Sequence, residues 1–187
     1  MEDSEKKKSL RKNLLEKRDN TSHDMLKIAS QKIHKRIGRI FAFKNAQKIG
    51  LYYPIGSEIF TQDIIQELIS NGKEVFLPKI IGKNIEFRKI SDFSSMETGN
   101  YDIMEPNETC PTDNNLDVIL VPTVGISQTG VRLGYGHGFY DRFLSSHKIT
   151  AISLVLEKQI LKNIPKLEHD VLMDWIVTED KIQKIQR

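Results

Sequence analysis

Residues 117–121 read DVILV, and Pro122 follows directly. An unbroken apolar run with no polar alternation marks a strand covered on both faces, the environment of a parallel sheet. Working outward, residues 48–53 (KIGLYY) read as a second buried strand stopped at Pro54, and residues 74–77 (EVFL) as a third closed by Pro78. Residues 85–90 alternate as a further strand, 150–156 (TAISLVL) form another, and 174–178 (DWIVT) a last short one.

Helical patterns lie before and between these strands. Residues 4–18 are mostly charged, with Leu10, Leu14 and Leu15 as their apolar side chains. Thr21 with Asp24 resembles a capping box for a helix whose apolar stripe is Met25, Ala29, Ile33, Ile37 and Ile40. Thr61 is the expected N-cap of a helix over 62–70, with Ile64, Ile65, Leu68 and Ile69 as its stripe and Asn71-Gly72 as its stop. Residues 91–116 hold Gly99, Pro106 and Pro111 and read as an irregular stretch that wraps a surface or contains short elements. Strands alternating with helices predict an α/β fold. The expectation is one domain over residues 1–187, a three-layer α/β/α arrangement with a mainly parallel, Rossmann-like sheet. Ligands of such sheets collect beyond the carboxyl ends of the strands, and polar clusters follow two of the strands, after Tyr53 and after Val121.

The formal net charge is only +3, and the basic residues at the start of the chain are diluted by Glu2, Asp3, Glu5 and Glu16. No basic stripe is interleaved with aromatics, which argues against a nucleic-acid partner and leaves room for a local site taking a polyanionic small molecule. No apolar run reaches the roughly 20 residues of a membrane helix, and MEDSEKKK has no signal-peptide core. A cytoplasmic protein without membrane contact is expected, with monomer as the default state. The single cysteine, Cys110, excludes an internal disulfide, and no base motif beside it suggests a nucleophile.

Residues 130–141 read GVRLGYGHGFYD, placing Gly130, Gly134, Gly136 and Gly138 shortly after the DVILV strand. Closely spaced glycines let backbone N–H groups converge on an anion, and a helix starting near Phe139 would add its own N-terminal amides. Arg132 supplies a guanidinium suited to phosphate oxygens. The spacing matches neither the Walker A loop nor the dinucleotide fingerprint, so on physics alone the stretch is either a phosphate nest or a flexible turn. Asp141 is either a carboxylate stabilising its own helix N-terminus or a Mg²⁺ ligand beside bound phosphates.

The stretch GVRLGYGHGFYDRFL resembles the signature of the 5-formyltetrahydrofolate cyclo-ligase family, also called methenyltetrahydrofolate synthetases. Residues 7–11 (KKSLR), 53–61 (YPIGSEIFT) and 168–170 (EHD), the last followed by a Thr-Glu-Asp, resemble other segments of that family in order and spacing. Phe139 stands where tyrosine is more usual, and His137 where glycine or lysine is common. The resemblance implies an ATP- and Mg²⁺-dependent cyclisation of 5-formyltetrahydrofolate to 5,10-methenyltetrahydrofolate, with ADP and phosphate released and a phosphorylated formyl group (an iminium phosphate) as intermediate.

The same resemblance implies the residue roles. Lys7, Lys8, Ser9, Leu10 and Arg11, with Arg132, Leu133, Gly134, Tyr135, Gly136, His137, Gly138, Phe139 and Tyr140, are expected to bind ATP. Arg11, Tyr53, Glu58, Tyr135, Gly136, His137, Gly138 and Phe139 are expected at the folate. Arg11 and Arg132 are the expected catalytic residues, and Asp141 and Asp170 the expected Mg²⁺ ligands. From the residues alone, several of these stay open. Lys7 and Arg11 could be a solvated helix face, Tyr53 a core residue at a strand end, and Glu58 a surface charge. Asp174 rivals Asp170 as metal ligand, His169 reads as a structural hydrogen-bond partner, and Trp175 as core. Lys79, Lys83 and Lys89 are the lysines that could meet an anionic folate tail. A non-catalytic nucleotide- or folate-binding protein on the same fold is the alternative.

Overall fold

The computed structural model describes residues 2–99 and 102–186; Asn100 and Tyr101, inside the stretch read as irregular, and the two terminal residues lie outside the described residues. The DVILV run forms β6 (Val118–Pro122), the middle strand of a seven-stranded sheet. On one side of it lie β1 (Lys48–Gly50), β2 (Glu74–Ile81) and β3 (Asn84–Ile90), and on the other β9 (Thr150–Leu154), β11 (Trp175–Val177) and β12 (Ile182–Lys184). From β2 through β1, β6 and β9 to β11 the pairing is parallel, with Ile49 opposite Val118 and Ile119 opposite Ala151. The edges, β3 and β12, are antiparallel.

Both faces of this sheet are buried. Ile49, Val75, Leu77, Val118, Leu120, Ile152 and Val177 face one core cluster. That cluster is completed by Leu26, Ala29, Ile33 and Ile37 of α2 (His23–Ile37), Phe43 of α3 (Phe41–Asn45), and Ile64, Ile65 and Leu68 of α4 (Gln62–Ser70). The residues between them, Phe76, Ile119, Val121, Ala151 and Ile176, face a second cluster with Phe143 and Leu144 of α5 (Phe139–Ser146). Side chains of a strand alternate between faces, so a strand buried on both must be apolar at every position, as β6 is. The result is the expected three-layer α/β/α arrangement.

Several local expectations shift. Ser22, not Thr21, caps α2, its hydroxyl accepting from the Met25 amide at 3.3 Å. The Thr21 hydroxyl instead accepts from Lys158 Nζ at 2.6 Å. Leu26 is buried where Met25 is 64% exposed; both fit the helical spacing, and only the position of the sheet chooses between them. Strand β2 does not stop at Pro78. It passes through, because Phe87 opposite points its N–H to Asn114 Oδ1 and its carbonyl to the Asp113 amide, so no ladder bond is asked of the proline. The irregular stretch contains a small antiparallel pair, β4 (Met96–Thr98) and β5 (Met104–Pro106). A second small sheet forms where β7 (Gly125–Ser127) and β8 (Arg132–Leu133), both between β6 and α5 in the chain, are joined by β10 (Ile160–Leu161) from beyond β9, with β7 in the middle. Among the described residues no helix is long and apolar enough to cross a membrane.

After β1 the chain moves to β2 on one side, and after β6 it moves to β9 on the other. The crevice between the carboxyl ends of β1 and β6 is therefore a topological switch point, where connections diverge and leave room for a ligand. Thr61 stands at the N-cap position of α4, but its fully buried hydroxyl donates to the Tyr52 carbonyl at 2.6 Å and makes no cap bond. That bond ties the start of α4 to the crevice wall. Thr61→Val, which keeps the shape and removes the donor, is expected to lower stability by about 1–2 kcal/mol in urea unfolding.

Candidate active site

A cavity of about 530 Å³ opens at this switch point, well inside the roughly 300–1,000 Å³ usual for small-molecule sites. Tyr52, Tyr53, Ile55 and Glu58 line it from the segment after β1, and Pro122 from the end of β6. Residues 132–141 line it from β8, the glycine loop and the first turn of α5. Lys7, Lys8 and Arg11 enter from α1 (Glu2–Asp19), and His169 and Asp170 from the segment before β11. Pro78, Ile80 and Ile85 add an apolar wall, continued by Ile103, Met104 and Glu105 at β5.

The helix α1 buries little apolar surface beyond Leu14; its other buried residues are Lys7 and Arg18. Lys7, Arg11, Leu14 and Arg18 recur at spacings of four, three and four, so they share one face. Leu14 sits against Gly125 so closely that a Cβ there would lie 2.4 Å from Leu14 Cδ1. Lys7 Nζ donates to Asp170 Oδ2, which also accepts from the Leu167 amide at 2.6 Å. Arg11 Nε donates to the Gly134 carbonyl at 2.6 Å.

Arg132 belongs to a strand rather than to the loop, and β8 carries it into the interior at 6% exposure. Its Nη1 donates to the Pro122 carbonyl at 3.1 Å and its Nη2 to Asp141 Oδ2 at 2.8 Å. A Cβ on Gly134 would lie 2.5 Å from Arg132 Nη1, so a larger residue there would have to push the guanidinium off its bonds to Pro122 and Asp141. Gly136 then turns at φ +108°, a conformation that L side chains avoid, with Arg11 against it. The Arg11 guanidinium is held below its ordinary pKa, first by burial and then by the charge of Arg132. Two cations that destabilise each other in a crevice, one of them with a buried Nε lacking a hydrogen-bond partner, suit an anion.

The aromatic part of the cavity is organised around Glu58, which is 3% exposed. Its Oε2 accepts from the Ile55 amide at 2.9 Å and its Oε1 from the Tyr135 hydroxyl at 2.8 Å. Burial raises its pKa, partly opposed by those two bonds and by the charge of Arg18. Burial likewise raises the Tyr135 and Tyr140 phenols, which remain neutral donors. His137 stacks on Phe139 with ring centroids 5.5 Å apart.

Two of the residues expected at ATP do not line the cavity: Ser9 is exposed on α1, and Leu10 packs with the cluster of Leu14, Val124 and Leu133. Asp174 is also elsewhere, its carboxylate accepting from the Ala151 amide at 2.8 Å between β9 and β11. Lys79 is not an exposed lysine but is buried against Glu97, Glu108 and the Pro106 carbonyl, while Lys89 pairs with Glu74. Arg18 and residues 103–105 were not singled out in the sequence. Arg18 had a signal, its spacing from Lys7 and Arg11; residues 103–105 had none, because a short strand pair in an irregular stretch leaves no periodicity.

Residues 3–179 match the model of the 5-formyltetrahydrofolate cyclo-ligase family. The chain belongs to this family. It is 29% identical over 185 residues to the 5-formyltetrahydrofolate cyclo-ligase of Saccharomyces cerevisiae, covering 84% of this chain and 88% of the relative. It is 32% identical over 158 residues to the probable 5-formyltetrahydrofolate cyclo-ligase of Caenorhabditis elegans, covering 73% and 75%. Among solved structures, the 5,10-methenyltetrahydrofolate synthetase of Aquifex aeolicus superposes with a TM-score of 0.87 at 31% identity, over 97% of this chain and 93% of that one. The chain is thus an enzyme of the cyclo-ligase family.

The donor set fits Mg²⁺. Asp141 and Asp170 both line the cavity, and Asp141 Oδ1 accepts at 3.2 Å from the amide of Val171, the residue after Asp170. One or two carboxylates completed by phosphate oxygens and water make a usual magnesium site. Here each carboxylate faces a cation, Arg132 or Lys7. Removing one partner of a buried pair leaves the other charge uncompensated. Asp170→Asn is expected to weaken the docking of α1 by up to about 3 kcal/mol, read as faster amide exchange across α1 with β6 unchanged.

Proposed function

We propose that the chain catalyses the ATP- and Mg²⁺-dependent cyclisation of 5-formyltetrahydrofolate to 5,10-methenyltetrahydrofolate, with release of ADP and phosphate. The observation that carries this reading is the crossing of the glycine loop between Arg11 and Arg132 at the switch point, beside a buried carboxylate and aromatic rings. The first set suits a triphosphate and the second a pterin, and both open into one cavity.

A formamide oxygen is a poor leaving group. Transfer of the γ-phosphoryl group to it forms a phosphate ester on the formyl carbon, with ADP leaving. The N10 lone pair then attacks that carbon, N10 gives up its proton to the departing phosphate, and the C–O bond breaks as the ring closes. Such a transfer needs in-line positioning and charge neutralisation more than a side-chain relay. Arg11 and Arg132 stand on the two sides of Gly134, where they can bind oxygens on either side of the bridging phosphorus. The amides of the loop and of the first turn of α5 add partial positive charge. Mg²⁺ held by Asp141 and Asp170 would supply further neutralisation of the phosphate oxygens. Glu58 can accept from the amino and ring N–H groups of a pterin, while Tyr53 and the apolar wall of Ile80, Ile85 and Met104 exclude water from the ring. The match over residues 3–179 supports reading the chain as one unit carrying the whole site.

Purified protein mixed with 5-formyltetrahydrofolate and Mg-ATP should produce the methenyl chromophore and ADP in equal amounts; folded protein giving no chromophore would refute the activity. Asp141→Asn is expected to lower kcat by about a hundredfold or more, with an unchanged circular dichroism spectrum. Near wild-type turnover in that variant would remove Asp141 from the reaction.

A further inference from the structure

We infer that Arg18, at the last turn of α1 and outside the cavity lining, is a positioning residue for the folate: it fixes the hydrogen-bond direction that keeps Glu58 an acceptor. The inference deepens the proposed function and rests on it.

The geometry is a directed chain. Arg18 Nη2 donates to the Tyr135 hydroxyl at 2.8 Å, and Tyr135 lies 2.8 Å from Glu58 Oε1. A guanidinium has donors only, so the Tyr135 oxygen must accept from Arg18. Its own proton is then directed at Glu58. Tyr135 could otherwise rotate its hydroxyl and accept from a protonated Glu58, or turn to solvent, since the residue is 37% exposed. With Arg18 in place, the carboxylate is the favoured form. The other oxygen of Glu58 is tied to the Ile55 amide, so the carboxylate has one orientation.

Arg18 is itself held. Its Nε donates to Ser57 Oγ at 2.8 Å, and Ser57 in turn donates to Asp19. Its side chain lies over the Tyr135 ring, the guanidinium carbon 5.7 Å from the centroid. At 4% exposure Arg18 is as buried as the core leucines, yet none of the described carboxylates forms an ion pair with it. The groups around Glu58 from each packed element are Arg18 of α1, Tyr52 after β1, Tyr135 of the glycine loop and Tyr140 of α5. Of these Arg18 is the single cation. Burial raises the Glu58 pKa, and Arg18 acts in the opposite direction. Losing Arg18 therefore raises that pKa further, and the acceptor form is lost as pH falls at a higher pH than before.

The cation is on the same helix as Lys7 and Arg11, so one rigid element reaches both halves of the site. The role assigned here concerns only the folate half, and this separates it from general docking of α1.

The test compares wild type with Arg18→Met, Arg18→Lys and Tyr135→Phe, all checked for folding by circular dichroism and thermal melting. In steady-state assays Arg18→Met and Tyr135→Phe should raise the KM for 5-formyltetrahydrofolate by roughly tenfold or more, the scale of one lost hydrogen bond to a charged group. For Arg18→Met, KM for ATP should change less than twofold, about the size of an unrelated surface change. The acidic limb of kcat/KM for the folate should move to higher pH in both variants, and Arg18→Lys should restore part of the shift. Equal losses for ATP and folate, or an unmoved acidic limb in a folded variant, would overturn the positioning role and leave Arg18 a structural anchor of α1. If Arg18→Met does not fold, Tyr135→Phe alone decides through the same acidic limb. Wild type without methenyl product would instead sink the proposed function itself.

Discussion

The cavity depends on the docking of α1, which sets directional polar bonds around a small leucine cluster. The helix packs Leu14, with Leu10 and Leu15 beside it, against Val124 and Leu133, and reaches the site through the Lys7–Asp170 pair, the Arg11 bond to the Gly134 carbonyl, and the Arg18 bonds to Tyr135 and Ser57. A helix held by apolar burial alone could slide or rotate at small cost. One also held by directional bonds from Lys7, Arg11 and Arg18, spaced four and seven residues apart, has one register. Together the bonds reach three parts of the site: the acidic segment before β11, the glycine loop at Gly134 and Tyr135, and Ser57 in the segment after β1. Removing the helix would open all three together.

The electrostatics of the site are asymmetric. On the loop side, burial and then the charge of Arg132 lower the Arg11 pKa, while Arg132 pairs with Asp141 and Lys7 with Asp170, the two carboxylates proposed for a divalent cation. Each of these pairs neutralises its own charges at rest, while Arg11 keeps a charge with no carboxylate beside it among the described residues, an arrangement that suits an anion. On the aromatic side, a single carboxylate is buried among neutral phenols with one arginine behind it. There burial and hydrogen bonding act in opposite directions on Glu58, and the balance decides whether it can read N–H groups.

The family resemblance and the fold class were readable because each rested on a local pattern. The DVILV run, the stripe of α4 and the glycines at 134, 136 and 138 are determined by neighbours in the chain. Where the reading slipped, a distant partner chose. Ser22 rather than Thr21 caps α2 because Lys158 takes the Thr21 hydroxyl. Pro78 sits inside β2 because Phe87 is turned away from it. Between the expected Asp170 and its rival Asp174 the choice was likewise distant: Asp170 lines the cavity, and Asp174 accepts from the Ala151 amide.

By itself the sequence determined the alternation of strands and helices, the burial of the central strand, and the presence of a glycine-rich turn bounded by Arg132 and Asp141. These follow from side-chain periodicity and from backbone freedom, which are properties of contiguous residues. Only the tertiary structure decided that Arg18 stands behind Tyr135 and Glu58, that residues 103–105 complete the apolar wall, and that Lys79 is buried among glutamates. The reason is physical. A buried cation looks like a solvated one until its partners are placed, and those partners lie 39 and 117 residues away for Arg18. No periodicity records contacts of that length.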